Sequence, residues 1–198
     1  YEGINVSGKG TIGLITYMRT DSLRISTESQ KAAREYIAKS FGEEFVPKTP
    51  RVYKTKKDAQ DAHEAIRPTY AELSPIKIKD NLSSDQYKLY KLIWERFLAS
   101  QMTNAVYDVV SATIEAASYQ FKATGSTVKF AGFTTLYVDT LDKDEDDEKT
   151  LPKLEKGDSA KLKELKYDQK FTQPPARYTE ASLIKMLEEK GIGRPSTY

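Results

Sequence analysis

"GLITYMRTDS", Gly13 to Ser22, places a tyrosine two positions before an arginine and closes on a turn rich in hydroxyl and acid groups. "TIGLITYM" reads as a short β-like run. Side chains alternate along an extended chain, so Tyr17 and Arg19 are expected on one side of it. Thr20, Asp21 and Ser22 then interrupt the run with turn and cap chemistry. A helix is predicted next. Thr27 and Gln30 have the spacing of a capping box, Ala33, Ile37 and Phe41 recur at helical intervals, and Gly42 is a fitting stop.

Further along, Pro47 to Lys57 reads as a basic loop, and "KDAQDAHEAIRPT" as a helical turn or two ending before Pro68, which disfavours helix at Arg67. "LSPIKIKDNLSS" reads as another loop. Ser83 and Gln86 open a second capping box on "DQYKLYKLIWERFLASQM", whose stripe of Tyr90, Ile93, Trp94 and Phe97 makes it the clearest helix in the chain. After Met102 the texture becomes β-branched and aromatic, with Gly125-Ser126 as the expected hairpin turn. An acidic block, "DTLDKDEDDEKT" from Asp139 to Thr150, is expected to be a solvated loop. A further turn at Gly157-Asp158 with a strand precedes the Pro174-Pro175 boundary. Thr179 then caps a last helix expected to bury Leu183, Ile184 and Leu187 and to end at Gly191. The chain thus divides into a mostly helical unit, residues 1–103, a β-rich unit, 104–172, and the start of another helical unit, 173–198. It reads as a piece of a longer protein.

Composition narrows the chemistry. The chain has 198 residues, 38% of them hydrophobic, so its core is thin and divided among small units. Net charge is +2, and the acidic block hides a more basic remainder. There are no cysteines, which excludes disulfides, thiolate metal sites and cysteine nucleophiles and fits a reducing cytoplasm. No apolar run approaches the roughly 18 residues of a membrane span.

Most of the 13 tyrosines will pack on or cover a core, and position alone does not single out Tyr17. Its neighbours do. Ionising a phenol at neutral pH requires roughly 4 kcal/mol. A guanidinium at about 6 Å supplies roughly 3 kcal/mol at an effective dielectric near 20. Arg19 could help activate the phenol and also hold a non-bridging phosphate oxygen in its planar fork. Such a pair suits attack on a phosphodiester, with a phosphotyrosine ester as product. His63, the sole histidine, lies among Asp58, Asp61 and Glu64 in the sequence. It is either a surface histidine or, as a cationic ring, a phosphate ligand or proton donor to a departing sugar oxygen. Arg67 is either a phosphate contact or one half of a structural ion pair. "GIGRPST", Gly191 to Thr197, offers Arg194, Ser196 and Thr197 as donors beside a possible helix N-terminus.

Taken together, "GLITYMRTDS", "AQDAHEAIRPT" and "RYTEASLIKMLEEKGIGRPSTY" resemble, in order and spacing, the bacterial DNA topoisomerase I branch of the type IA topoisomerases. The resemblance implies that Tyr17 joins DNA covalently, that Arg19 contacts DNA beside it, that His63 belongs to the active site, and that Arg194, Ser196 and Thr197 contact DNA. It implies an α+β, multidomain, torus-type architecture. A helical domain would carry the tyrosine, an all-β arch segment would follow, and residues 173–198 would begin a domain that cradles single-stranded DNA. The implied protein is a monomer of the cytoplasm and nucleoid that relaxes negatively supercoiled DNA without ATP. The family also has a Toprim domain that holds Mg²⁺ on an acidic cluster. No D-x-D-x-E pattern in a suitable strand context occurs here, so no metal ligand is expected in this chain and activity of the chain alone is not expected. A non-catalytic module for single-stranded DNA is the rival reading. A tyrosine recombinase fits less well, since Tyr17 stands near the start of the chain.

Overall fold

The computed structural model describes residues 1–18, 22–53, 63–137, 151–193 and 197. Two compact units are present, Tyr1–Leu151 and Pro152–Tyr198.

The first unit opens with a hairpin that the sequence reading missed. Strand β1 (Ile4–Val6) pairs antiparallel with β2 (Gly10–Ile12), so the β-like run starting at Thr11 is the second arm of a turn around Gly8. Helix α1 (Thr27–Phe41) follows. Its cap is Ser26, one residue ahead of the expected Thr27, and the Ser26 hydroxyl accepts from the Ser29 amide. The backbone path decides: Ser26 is still extended, at φ −63° and ψ 147°, so its oxygen meets the free amide and Thr27 becomes the first helical residue. Ala33 and Ile37 are fully buried, and Gly42 ends the helix.

"LSPIKIKDNLSS" is not the simple loop expected. Pro75–Ile78 forms a short helix, α2, with Pro75 at its first turn, and a 3-10 turn covers Lys79–Asn81. Ile78 is fully buried, which pins the segment down. Helix α3 (Ser84–Gln101) starts with the expected capping box of Ser83 and Gln86. Its buried stripe of Tyr90, Trp94, Phe97 and Leu98 is the centre of the core. The Trp94 ring meets the edge of Tyr36 on α1 with centroids 5.6 Å apart.

Two polar tips on that stripe reach across to the incoming chain. Tyr90 Oη donates to the Leu73 carbonyl at 2.6 Å, and Trp94 Nε1 donates to the Ala71 carbonyl at 2.9 Å. Burial pushes the Tyr90 phenol well above its usual range. Tyr90→Phe leaves the Leu73 carbonyl without its donor inside the core. It is expected to cost about 1–3 kcal/mol in a urea melt; an unchanged midpoint would mean that water replaces the hydroxyl.

After α3 the chain turns into a long ribbon, β3 (Val106–Ala116) paired antiparallel with β4 (Tyr119–Phe130). The reversal lies at Ala117-Ser118, where Ala117 has φ 54°, and not at Gly125-Ser126. Gly125 sits inside β4 opposite Val110. The unbroken β-branched and aromatic run on both sides outweighs the turn preference of a lone Gly-Ser pair. At the foot of the ribbon Gly132, with φ 51°, lies against Thr103 and Asn104, where an added Cβ would stand 2.5 Å from their backbone. The expected acidic loop at 139–150 lies outside the described residues.

In the second unit the Gly157-Asp158 turn is present, closed by Asp158, whose carboxylate accepts from the Glu155 amide at 2.8 Å. No strand accompanies it among the described residues. Helix α4 (Glu180–Lys190) is capped by Thr179, which forms a reciprocal box with Ser182, and it ends at Gly191 in the left-handed region. The expected burial of its apolar face is not met. Leu183 and Ile184 are exposed and Leu187 and Met186 are half-buried, because the described residues of this unit supply no second element for them to pack on.

Candidate active site

Beyond β2 the chain bends at buried Leu14 and continues extended to Met18. Its partner is the segment from His63 to Thr69. This segment is irregular, with bends at Ile66 and Thr69, and not the expected helical turn, because its backbone groups bond to the tyrosine segment. Ile15 faces Pro68 in an antiparallel bridge. Thr69 N donates to Leu14 O at 2.9 Å and Thr16 N to Arg67 O at 3.0 Å. Residues 54–62, including Asp58 and Asp61, lie outside the described residues.

Side chains reinforce this pairing. Thr16 Oγ1 donates to Ala65 O at 2.8 Å and accepts from the Arg67 amide at 3.0 Å. Ser22 Oγ donates to His63 O at 2.6 Å and accepts from the Arg24 amide at 3.2 Å. Arg24 O in turn accepts from the Ala65 amide at 2.8 Å.

The pairing brings the two ring residues together. Tyr17 is 51% exposed, so its phenol is open to a ligand. Its ring lies 6.0 Å from that of His63, centroid to centroid, with the planes inclined by 30°. Tyr1 meets Tyr17 edge-on at 5.3 Å. Gly13 permits that approach of the first residues: an added Cβ would stand 2.9 Å from the Tyr1 carbonyl oxygen.

Arg67 makes the ion pair that was one of its two expected roles. Its Nε and Nη2 both bond Glu64 Oε2, at 2.9 and 2.5 Å, and Nη1 donates to the Pro68 carbonyl at 3.0 Å. It is only 9% exposed. A phosphate could claim that fork only after Glu64 lets go. Glu64 is thereby committed to Arg67 as well as being His63's neighbour in sequence.

Of the other expected site residues, Arg19, Arg194 and Ser196 lie outside the described residues, and Thr197 is exposed. Among the described residues, no group of three or more His, Cys, Asp or Glu side chains could hold a metal ion. Nor is any helix among them long and apolar enough to cross a membrane. Three residues of this site were not expected. Tyr1 carries no local signal. Thr16 and Ser22 do: they are hydroxyl residues on either side of the "YMRTD" stretch, but only the folded chain reveals their acceptors.

With this geometry in view, the family model for DNA topoisomerase matches residues 1–198. The chain belongs to the DNA topoisomerase family. A solved structure of full-length topoisomerase I from Thermotoga maritima is also similar, with a TM-score of 0.74 and 36% identity. That match covers 100% of this chain and 31% of the Thermotoga chain. This topoisomerase segment therefore spans about a third of that relative's length. Its mixed helices and strands fit the α+β class.

Proposed function

We propose that this chain is the nucleophile-bearing part of a type IA topoisomerase, in which Tyr17 cuts one DNA strand. The Tyr17 oxygen attacks a backbone phosphorus. The bond from phosphorus to the 3′ oxygen breaks, and an ester forms between the tyrosine and the 5′ phosphate. The phenol's proton leaves to a base, and the departing 3′ oxygen gains one. One phosphoester replaces another, so the bond's energy is kept for resealing and no ATP is needed. Another strand passes through the break, and the reverse attack relaxes negative supercoils.

The support is the placing of a half-exposed tyrosine beside the chain's sole histidine by two segments far apart in sequence. His63 assists through hydrogen bonding or proton transfer to the leaving oxygen. Arg19 steadies the phosphate. Arg194, Ser196 and Thr197 bind the DNA backbone, while Arg67 braces the histidine segment. The long ribbon after α3 supports the plan of a tyrosine domain at 1–103 followed by part of an arch at 104–172. Mg²⁺ belongs, on this reading, to a Toprim domain outside this chain.

The test is to incubate the full-length enzyme with a single strand labelled at its 3′ end, the end that stays joined to the protein, stop with detergent, and map the label after proteolysis. The expected product is a peptide phosphorylated on Tyr17. Label on any other residue overturns the assignment. The isolated chain is expected not to relax plasmid DNA, and relaxation by it would overturn the division of labour with the rest of the enzyme.

A further inference from the structure

We propose that Thr16 and Ser22 are positioning residues whose hydroxyls set the tyrosine segment in register with the histidine segment, and so fix where the imidazole stands against the phenol. This rests on the reading of Tyr17 as nucleophile and His63 as its assistant. The two hydroxyls bracket the stretch from Tyr17 to Asp21, one on each side. Each both donates and accepts. Thr16 joins the Ala65 carbonyl to the Arg67 amide, and Ser22 joins the His63 carbonyl to the Arg24 amide.

Ordinary ladder bonds do not account for this geometry. Among the described residues, regular strand pairing is limited to a single bridge at Ile15 and Pro68. Beyond it, among the described residues, these side-chain oxygens and the bond from Ala65 to Arg24 join the two segments. Ser22 is 4% exposed and its bond to His63 O, at 2.6 Å, acts on the very residue that carries the imidazole. A buried hydroxyl with both roles filled locks its neighbours more firmly than one open to water. Loss of either clasp lets the imidazole drift from the phenol, and a misplacement near 1 Å is worth up to about a hundredfold in rate.

The test uses the full-length enzyme with Ser22→Ala, Thr16→Val and Thr16→Ser, the last keeping the hydroxyl. Single-turnover cleavage of a saturating oligonucleotide is measured beside its Kd and the thermal midpoint. Ser22→Ala and Thr16→Val are each expected to slow cleavage roughly tenfold or more, with Kd within about twofold and Thr16→Ser close to the parent. In a His63→Ala background, Ser22→Ala is expected to add less than about twofold, since a residue acting through the imidazole has nothing left to position. Unchanged cleavage in both Ser22→Ala and Thr16→Val overturns the proposal, as do losses that multiply in full with that of His63→Ala. Should Ser22→Ala not fold, Thr16→Val against Thr16→Ser, each also combined with His63→Ala, decides by the same criteria. If Tyr17→Phe still cleaves, it is the nucleophile assignment that falls, a result separate from those above.

Discussion

Tyr17→Phe in the full-length enzyme is expected to abolish the covalent DNA adduct and all relaxation while leaving the protein folded. Phenylalanine keeps the ring that meets Tyr1 and His63, and it removes only the oxygen that forms the ester. Without that atom the covalent route has no substitute, so activity should fall by at least about 10⁴-fold, to background. Tyr17 is half exposed, and a surface substitution of this kind moves stability by no more than about 0.5 kcal/mol. Single-strand affinity should persist, because it arises from phosphate contacts and base stacking elsewhere. A denaturing gel that separates free from protein-linked strand, beside a melting curve, checks both halves. Adduct formed by a folded Tyr17→Phe protein would end the assignment.

Trp94→Ala is expected to produce the largest loss of stability, about 3–5 kcal/mol. The side chain is 4% exposed and central to the stripe on α3. Its loss opens a cavity against Tyr36 on α1 and leaves the Ala71 carbonyl without its donor. Set against a typical domain stability of roughly 5–15 kcal/mol, this is a large fraction. Because Trp94 is the sole tryptophan, the parent can be followed by fluorescence, whereas the variant needs circular dichroism. Urea melts should show a lower midpoint with an unchanged slope, the sign that native contacts and not the unfolded ensemble were altered. A variant within about 1 kcal/mol of the parent would show that the neighbours collapse into the space.

Helix α3 was readable because period and cap agree. Tyr90, Trp94 and Phe97 follow the helical interval behind a true Ser-x-x-Gln box. Helix α1 was readable in extent but not in its first residue, since Ser26 and Thr27 are both competent caps and only the backbone path decides between them. The hairpin turn was misplaced because glycine and serine inside a strand send the same signal as glycine and serine in a turn. The apolar face of α4 was correctly seen as apolar, but a face is buried only when something covers it. For the site, the pairing of Tyr17 with His63 could be expected only from the resemblance. Nothing local in "HEAIRPT" says that it will pair with "LITY". That outcome depends on long-range bonds such as those of Thr16 to Ala65 and Arg67. Arg67 pairs with Glu64, three residues away, a contact that the sequence offered as one of two readings without deciding between them.

Phenol and imidazole lie side by side inside one unit, Tyr1–Leu151. If the working enzyme opens by swinging this unit aside, a severed 5′ end tethered to Tyr17 travels with its imidazole companion and never parts from it. What the journey leaves behind is whatever the remainder of the enzyme contributes. Healing of the break would then wait for that reunion.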